Sequence, residues 1–420
     1  MASTATIPNS GSRFSDGRGC DLTNNVPALR ATTLLSAAKS RIRRPRAPLR
    51  YRPRSGLSIP IVTVLDRAGR VLADEQRAVV RYAIQQGTGA DVIFAAGTTG
   101  EWNQLDPPRM QTVARIAVEE CRRATREGVQ VEAWVGITAK TAGDTLDNLA
   151  HAIALGADAA VVAPLSIADS ESPLDFVERG IGEAFERHGR SIPVFLCDNA
   201  DIAATGKAAH LHTRDIKPLS QLPYIHGVKI TASKIVLGNY TRAAAHFQLR
   251  NEFAIYPGNA YLIFDLFRPA RGVAGRARNY WNRYLTRNSL PHGVVSGAAN
   301  VMPREWQRSW QVCVAHDLTL MQRYQAIVGQ FPEICEFRRD GGSLRLTIAC
   351  LKAALKEVGV CGSDAVAPGT PALDGAERRE FVRRFRTLRR NGAAQLEPQW
   401  SSVVASATAS RPRVWADSSK

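Results

Sequence analysis

Two short stretches carry residue types that could do chemistry. In His226-Gly227-Val228-Lys229-Ile230-Thr231-Ala232-Ser233 an apolar run passes through a glycine to a single lysine and then to small hydroxyl residues. That is the pattern of a buried strand ending at the mouth of a barrel. Low-dielectric walls disfavour the charged form of a lysine, so free amine becomes available near neutral pH. A free amine attacks a ketone, and with a 2-oxo acid it gives an imine, an electron sink for making or breaking a neighbouring bond. On this octamer alone the commoner alternative, a solvated charge at a strand end, stays open.

The second stretch, Gly97-Thr98-Thr99-Gly100-Glu101, follows the apolar Val92-Ile93-Phe94-Ala95-Ala96 and also reads as a strand end entering a loop. Its glycines let backbone approach a ligand, and its hydroxyls and N–H groups can receive a carboxylate. An ordinary strand-to-helix turn is the alternative. Glu101 reads as a loop acid that orders backbone N–H groups, and Trp102 as a packing residue placed within reach of a substrate.

Together the two stretches resemble the family of dihydrodipicolinate synthase and N-acetylneuraminate lyase. Further matches follow in order: Pro60-Ile61-Val62-Thr63, Gly156-Ala157-Asp158, Gly258-Asn259, Gly293 to Val301, and Cys350-Leu351-Lys352-Ala353-Ala354-Leu355 with Val358-Gly359. The likeness spans roughly residues 56–390. It implies a (β/α)8 TIM barrel with extra C-terminal helices, no cofactor and no metal. It also implies that Lys229 forms the imine with a pyruvate-like 2-oxo acid. Thr99 and the backbone of Gly97 and Gly100 would hold the substrate carboxylate, and Thr98 would stand in the proton relay. Gly258, Asn259, Ser296 and Gly297 would complete the substrate-binding rim. Assembly as a dimer or tetramer is implied as well.

The pattern also breaks. Where the family places a tyrosine at the end of the fifth strand, this chain reads Phe195-Leu196-Cys197-Asp198-Asn199, with Cys197 in the tyrosine's place. That phenol moves protons, a contribution of about 10²–10⁴-fold for a general acid–base group. Leu165 and Ser166 stand where the synthases carry paired tyrosines, and no arginine lies near Ile202 to Gly206. These losses argue against dihydrodipicolinate synthase proper. Cys197 or Asp198 is the expected replacement for the proton shuttle, with a turn residue as the alternative for Asp198.

Charge narrows the other classes. The chain has 420 residues and a formal charge of +17. Residues 1–54 carry +9, 268–287 carry +6 and 371–420 carry +5, so the remainder sums to −3. The basicity belongs to the attachments of a nearly neutral body. Such patches bind polyanions without sequence preference, but no nucleic-acid-binding motif accompanies them. No run approaches the roughly 20 apolar residues of a membrane span. The seven cysteines lack the paired spacing of a zinc site or disulfide framework, so a cytoplasmic location is expected. The histidines show no ligand spacing beyond the weak pair His210 and His212.

Apolar runs alternate with amphipathic stretches from Ile59 onward, the signature of strand-helix repeats and a parallel sheet. The runs predict strands over 59–64, 91–96, 130–135, 158–163, 193–197, 226–230, 252–256 and 292–296. Helices are expected near 74–86, 107–125, 142–155, 173–188, 207–217, 231–246, 259–267 and 303–330. Eight units close a barrel whose site lies at the C-terminal strand ends, where Thr98, Thr99 and Lys229 fall. The doubly wound alternative lacks a glycine-rich dinucleotide fingerprint. The expected organisation is a flexible basic extension over 1–54, a barrel over 55–330, a helical extension over 331–392 and a loose tail over 393–420. A transit peptide has the same composition as the N-terminal extension. Within the barrel, an Arg-rich insertion at about 268–290 interleaves Arg268, Arg271, Arg276, Arg278 and Arg283 with Tyr280, Trp281 and Tyr284. It reads as an exposed contact segment or as a clamp for an anionic substrate tail.

Three functions follow. A Schiff-base lyase or aldolase for a 2-oxo acid stands first, a degenerate metabolite-binding relative second, and a basic polyanion-binding protein third.

Overall fold

In the computed structural model the described residues are 51–244, 253–268, 272–273, 291–339 and 341–395. They all lie in the unit Pro48–Lys420. Strands β1 (Gly56–Pro60), β2 (Val92–Ala95), β3 (Glu132–Gly136), β4 (Ala159–Val162), β5 (Val194–Asn199), β6 (Ile225–Thr231), β7 (Ala254–Pro257) and β8 (Gly293–Val295) run parallel, each beside its successor in sequence, with β8 joined to β1. The His292 N–H donates to the Ile255 carbonyl at 2.9 Å and brings the ends of the ladder together. The fold is the expected TIM barrel.

The helix starts follow their local chemistry. Asp106 accepts from the Arg109 N–H at 3.1 Å ahead of Pro107 and Pro108, and Ser172 caps the Asp175 N–H at 3.3 Å ahead of Pro173. The helices Pro107–Arg126 and Ala142–Leu155 lie where the pattern sets them. The helical stretch expected at 303–330 breaks into Pro303–Val314 and Leu318–Val328. At the break His316 takes a φ of +56° and Asp317 caps the Leu320 N–H at 3.0 Å. No helix among the described residues is long and apolar enough to cross a membrane.

Three expectations are corrected. The first strand was read over 59–64, yet β1 ends at Pro60. Residues beyond it stay buried, but side chains replace the ladder. Asn300 Oδ1 accepts from the Val62 N–H at 3.1 Å and Gln76 Oε1 from the Val64 N–H at 2.8 Å. The helix expected at 207–217 starts only at Thr213, because Leu211 and His210 are turned onto the Asp198 carboxylate. Within the helical extension expected over 331–392, Glu336–Arg339 pairs with Gly342–Arg345 in a two-stranded ribbon ahead of the helix Thr347–Glu357.

The inner face of the barrel carries an aromatic layer. Trp134 stacks on Phe195 with centroids 4.0 Å apart, and Tyr256 meets both edge-on at 5.1 and 5.7 Å. Beneath it Tyr51 donates to Glu132 Oε2 at 2.7 Å and sets its ring edge-on to Phe195 and His226. Tyr256 donates to the Arg54 carbonyl at 2.6 Å. Of the extension expected over 1–54, residues 1–50 lie outside the described ones.

Burial of Glu305 on the helix Pro303–Val314 lifts its carboxyl from 4.5 to about 7. A carboxyl raised in the fold adds stability that is complete below its unfolded value and is lost as pH climbs through the folded one. The wild type is therefore expected to lose up to about 3 kcal/mol between about pH 5 and about pH 8, and Glu305→Gln to lose less. Urea titrations of both proteins across that range check this. Parallel pH profiles would contradict it.

Candidate active site

Lys229 lies on the inner face of β6 with 7% of its surface exposed. Its Nζ donates to Thr231 Oγ1 at 2.6 Å, two residues along the strand and on the same face. The parallel register sets Cys197 of β5 on one side and Tyr256 of β7 on the other. Burial pushes the Cys197 thiol up, while the adjacent Lys229 pulls it down by charge and by a hydrogen bond.

Gly258 closes the third side. A Cβ there would lie 2.7 Å from Lys229 Cε, 3.2 Å from Nζ and 2.4 Å from Thr231 Oγ1. Only a residue without a side chain fits beside the amine. Gly258→Ala is expected to push the amine aside and to slow any reaction of it with a ketone about a hundredfold, as a misplacement on the order of 1 Å does. Borohydride-trapping rates measure the effect, and an unchanged rate would dismiss the constraint. Asn259, expected beside it on the rim, is exposed, and its carbonyl accepts from the Leu262 N–H at 3.1 Å.

The loop after β2 is built under strain. Ala96 and Glu101, both non-glycine, take φ of +54° and +62° on either side of the turn Thr98–Gly100. Gly136 makes the first possible, since a Cβ there would meet the Ala96 carbonyl oxygen at 2.2 Å. Thr63 Oγ1 donates to the Gly100 carbonyl at 2.7 Å. Gly97 is buried, and Thr98 and Thr99 are half-buried. The Thr99 side chain packs on Gly297, whose Cβ position is 3.5 Å from Thr99 Oγ1. Ser296 is buried and ties β8 to β1 through its N–H to the Ser58 carbonyl at 3.1 Å. Lys229, Cys197, Thr231 and Gly258 thus form one group at the C-terminal strand ends, and Thr99 with Gly297 forms another.

Asp198 does not join either group. Strand alternation turns it to the outer face of β5, where it is 1% exposed. There it receives the Leu211 N–H at 3.3 Å, faces His210 Nδ1 at 3.1 Å, and takes the Tyr240 hydroxyl. It holds the following loop in place. That loop returns Ile202 to the barrel's inner cluster.

Two residues of consequence carried no role in the sequence reading. Thr231 fell at the expected start of a helix, but β6 runs through it, and period two would then have placed it beside Lys229. Lys352, on the helix Thr347–Glu357, is 1% exposed and pairs with Glu101, which also accepts from the Ala367 N–H at 2.8 Å. Lys352 further donates to the Ala365 carbonyl at 2.8 Å. Burial pushes its ammonium down and Glu101 opposes that shift. Glu101 therefore fastens the strained loop to the C-terminal segment. In the Arg-rich insertion, residues 269–271 and 274–290 lie outside the described ones, and Arg268 reaches Gln325 Oε1 at 3.2 Å.

The sequence model of the Dihydrodipicolinate synthetase family matches residues 53–168, a span with the Gly97–Gly100 loop but not Lys229. A 4-hydroxy-tetrahydrodipicolinate synthase of Methylococcus capsulatus is 28% identical over 263 residues, covering 62% of this chain and 76% of the relative. Dihydrodipicolinate synthase from Bacteroides thetaiotaomicron shares the fold at a TM-score of 0.64 and 19% identity, over 80% of this chain and 99% of that one. YagE, a prophage protein of E. coli K12 solved in complex with pyruvate, gives 0.62 and 19%, over 80% and 98% of the two chains. KD(P)GA from T. tenax gives 0.58 and 21%, over 80% and 99%.

Proposed function

We propose that this chain, which matches the Dihydrodipicolinate synthetase family over residues 53–168 and resembles a 4-hydroxy-tetrahydrodipicolinate synthase, is a divergent member of that family: a lyase or aldolase that forms a Schiff base between Lys229 and a pyruvate-like 2-oxo acid. The observation that carries this reading is the enclosure of one amine, 7% exposed, between Cys197, Thr231 and Gly258 at the C-terminal strand ends. Thr99 and the backbone of the turn Thr98–Gly100 hold the carboxylate of the 2-oxo acid. Attack of the amine on the ketone gives a carbinolamine, and loss of water gives the imine. A hydroxyl 2.6 Å from the nitrogen makes Thr231 the group that passes protons in that dehydration. Cys197, beside the same nitrogen, is the second proton carrier in the place of the usual phenol. The enzyme works in the cytoplasm as a dimer or tetramer and needs no cofactor.

Borohydride reduction in the presence of pyruvate, followed by intact-mass measurement, tests the reading. An adduct on Lys229 is expected, and no adduct with any 2-oxo acid of a panel would end it. A second reading, binding of the 2-oxo acid without efficient turnover, is favoured by the thiol of Cys197 standing where a phenol would move protons. Turnover with a panel of aldehydes separates the two. Polyanion binding rests on basic stretches that fall mostly outside the described residues, and salt-dependent retention of RNA or DNA would be its sign.

A further inference from the structure

We propose that Cys197 and Lys229 form a reversible, oxidant-triggered sulfenamide cross-link that takes the amine out of use. The pairing stands on geometry. The two residues are register partners on neighbouring parallel strands, both on the inner face and both buried. Gly258 confines the lysine from the β7 side, with its Cβ position 2.7 Å from Cε. The side chain fills the space a Cβ at Gly258 would take, and its nitrogen lies within hydrogen-bonding reach of the Cys197 thiol. Tyr256 and Phe195 fill the space below, so neither partner can retreat toward the opposite end of the barrel.

The chemistry needs one co-reactant, a peroxide small enough to enter where a 2-oxo acid enters. The Cys197 sulfur, as thiolate, attacks the peroxide. An S–O bond forms, the O–O bond breaks and hydroxide leaves, so sulfur loses two electrons and the peroxide gains them. The Lys229 amine then attacks the sulfenic sulfur. An S–N bond forms, the S–O bond breaks, and the amine proton leaves with the oxygen as water. A dithiol reverses the link by attacking sulfur, which releases the amine and then the thiol. Burial raises the thiol and Lys229 lowers it. Oxidation is therefore slower than at a solvent-exposed thiolate, and it depends on the lysine beside it. Capture by the neighbouring amine ends the ladder before the irreversible sulfinic stage.

The test treats the full-length protein with hydrogen peroxide, blocks free thiols with iodoacetamide and maps the peptides by mass. The expected product joins the peptides of Cys197 and Lys229 with a mass about 2 Da below their sum, and dithiothreitol removes it. Cys197→Ser and Lys229→Met lack it. Recovery of Cys197 as a free or sulfinic residue with Lys229 unlinked overturns the proposal. So does a loss of hydrogens confined to Cys335 and Cys350, which contact each other. The proposal's consequence rests on the imine reading: peroxide lowers pyruvate trapping at least about tenfold and dithiothreitol restores it, while Cys197→Ser, compared with its own untreated sample, shows no such drop. The two readings fail separately. An absent cross-link leaves trapping in untreated protein intact, and an absent adduct leaves the peptide map unchanged.

Discussion

Lys229→Ala is expected to abolish the borohydride-trapped pyruvate adduct and to lower turnover of any accepted 2-oxo acid by on the order of 10⁴-fold or more. The size follows from the lack of a substitute. Among the described residues the other buried lysine is Lys352, and its nitrogen is committed to Glu101 and to the Ala365 carbonyl. Among the described residues no second buried amine is available beside Cys197 and Thr231. Alanine also leaves a void beside Tyr256, so Lys229→Met serves as a companion that fills the volume and removes only the nucleophile. Both variants are expected to melt cooperatively. An adduct of undiminished mass in either would move the chemistry to another lysine and refute the assignment.

Lys352→Met is expected to cost about 3–5 kcal/mol of stability, because it leaves the Glu101 carboxylate buried with an N–H donor but no counter-charge. Glu101 is the residue with φ +62° that ends the turn Thr98–Gly100, so the loss is felt at the turn proposed to hold the substrate carboxylate. Pyruvate trapping is accordingly expected to need higher pyruvate concentrations in this variant. Pairing the change with Glu101→Gln removes the uncompensated charge, and the double variant is expected to be more stable than Lys352→Met alone. Urea midpoints of the wild type, the two single variants and the double variant give the coupling. A midpoint for Lys352→Met equal to that of the wild type would show that the pair does not hold the loop.

The barrel was legible because its strands are buried on both faces and stand out as apolar runs between amphipathic stretches. Lys229 was legible as one charge in such a run, and the loop after β2 by its glycines and threonines. Edges were harder. The run Ile59 to Leu65 is apolar apart from Thr63, and the distant Asn300 and Gln76 take over the backbone N–H groups where the ladder stops. Of the two readings of Asp198, strand alternation favours the turn residue over the proton shuttle: if Cys197 faces inward, its neighbour cannot. The Glu101 to Lys352 pair was out of reach for a different reason. The partners are 251 residues apart, and a lysine within Leu351-Lys352-Ala353 looks like any helical lysine until the surrounding packing is known.

The seal made by Tyr51, Glu132 and the aromatic layer bears on kinetics. The aromatic layer closes the barrel beneath Lys229, so the proposed path of a substrate to its nitrogen is the doorway at the C-terminal strand ends. On the proposed imine reaction the 2-oxo acid lodges at that nitrogen first and a second reactant binds above it. An inert analogue parked in that doorway would exclude every later visitor, and its inhibition pattern would report the order of binding.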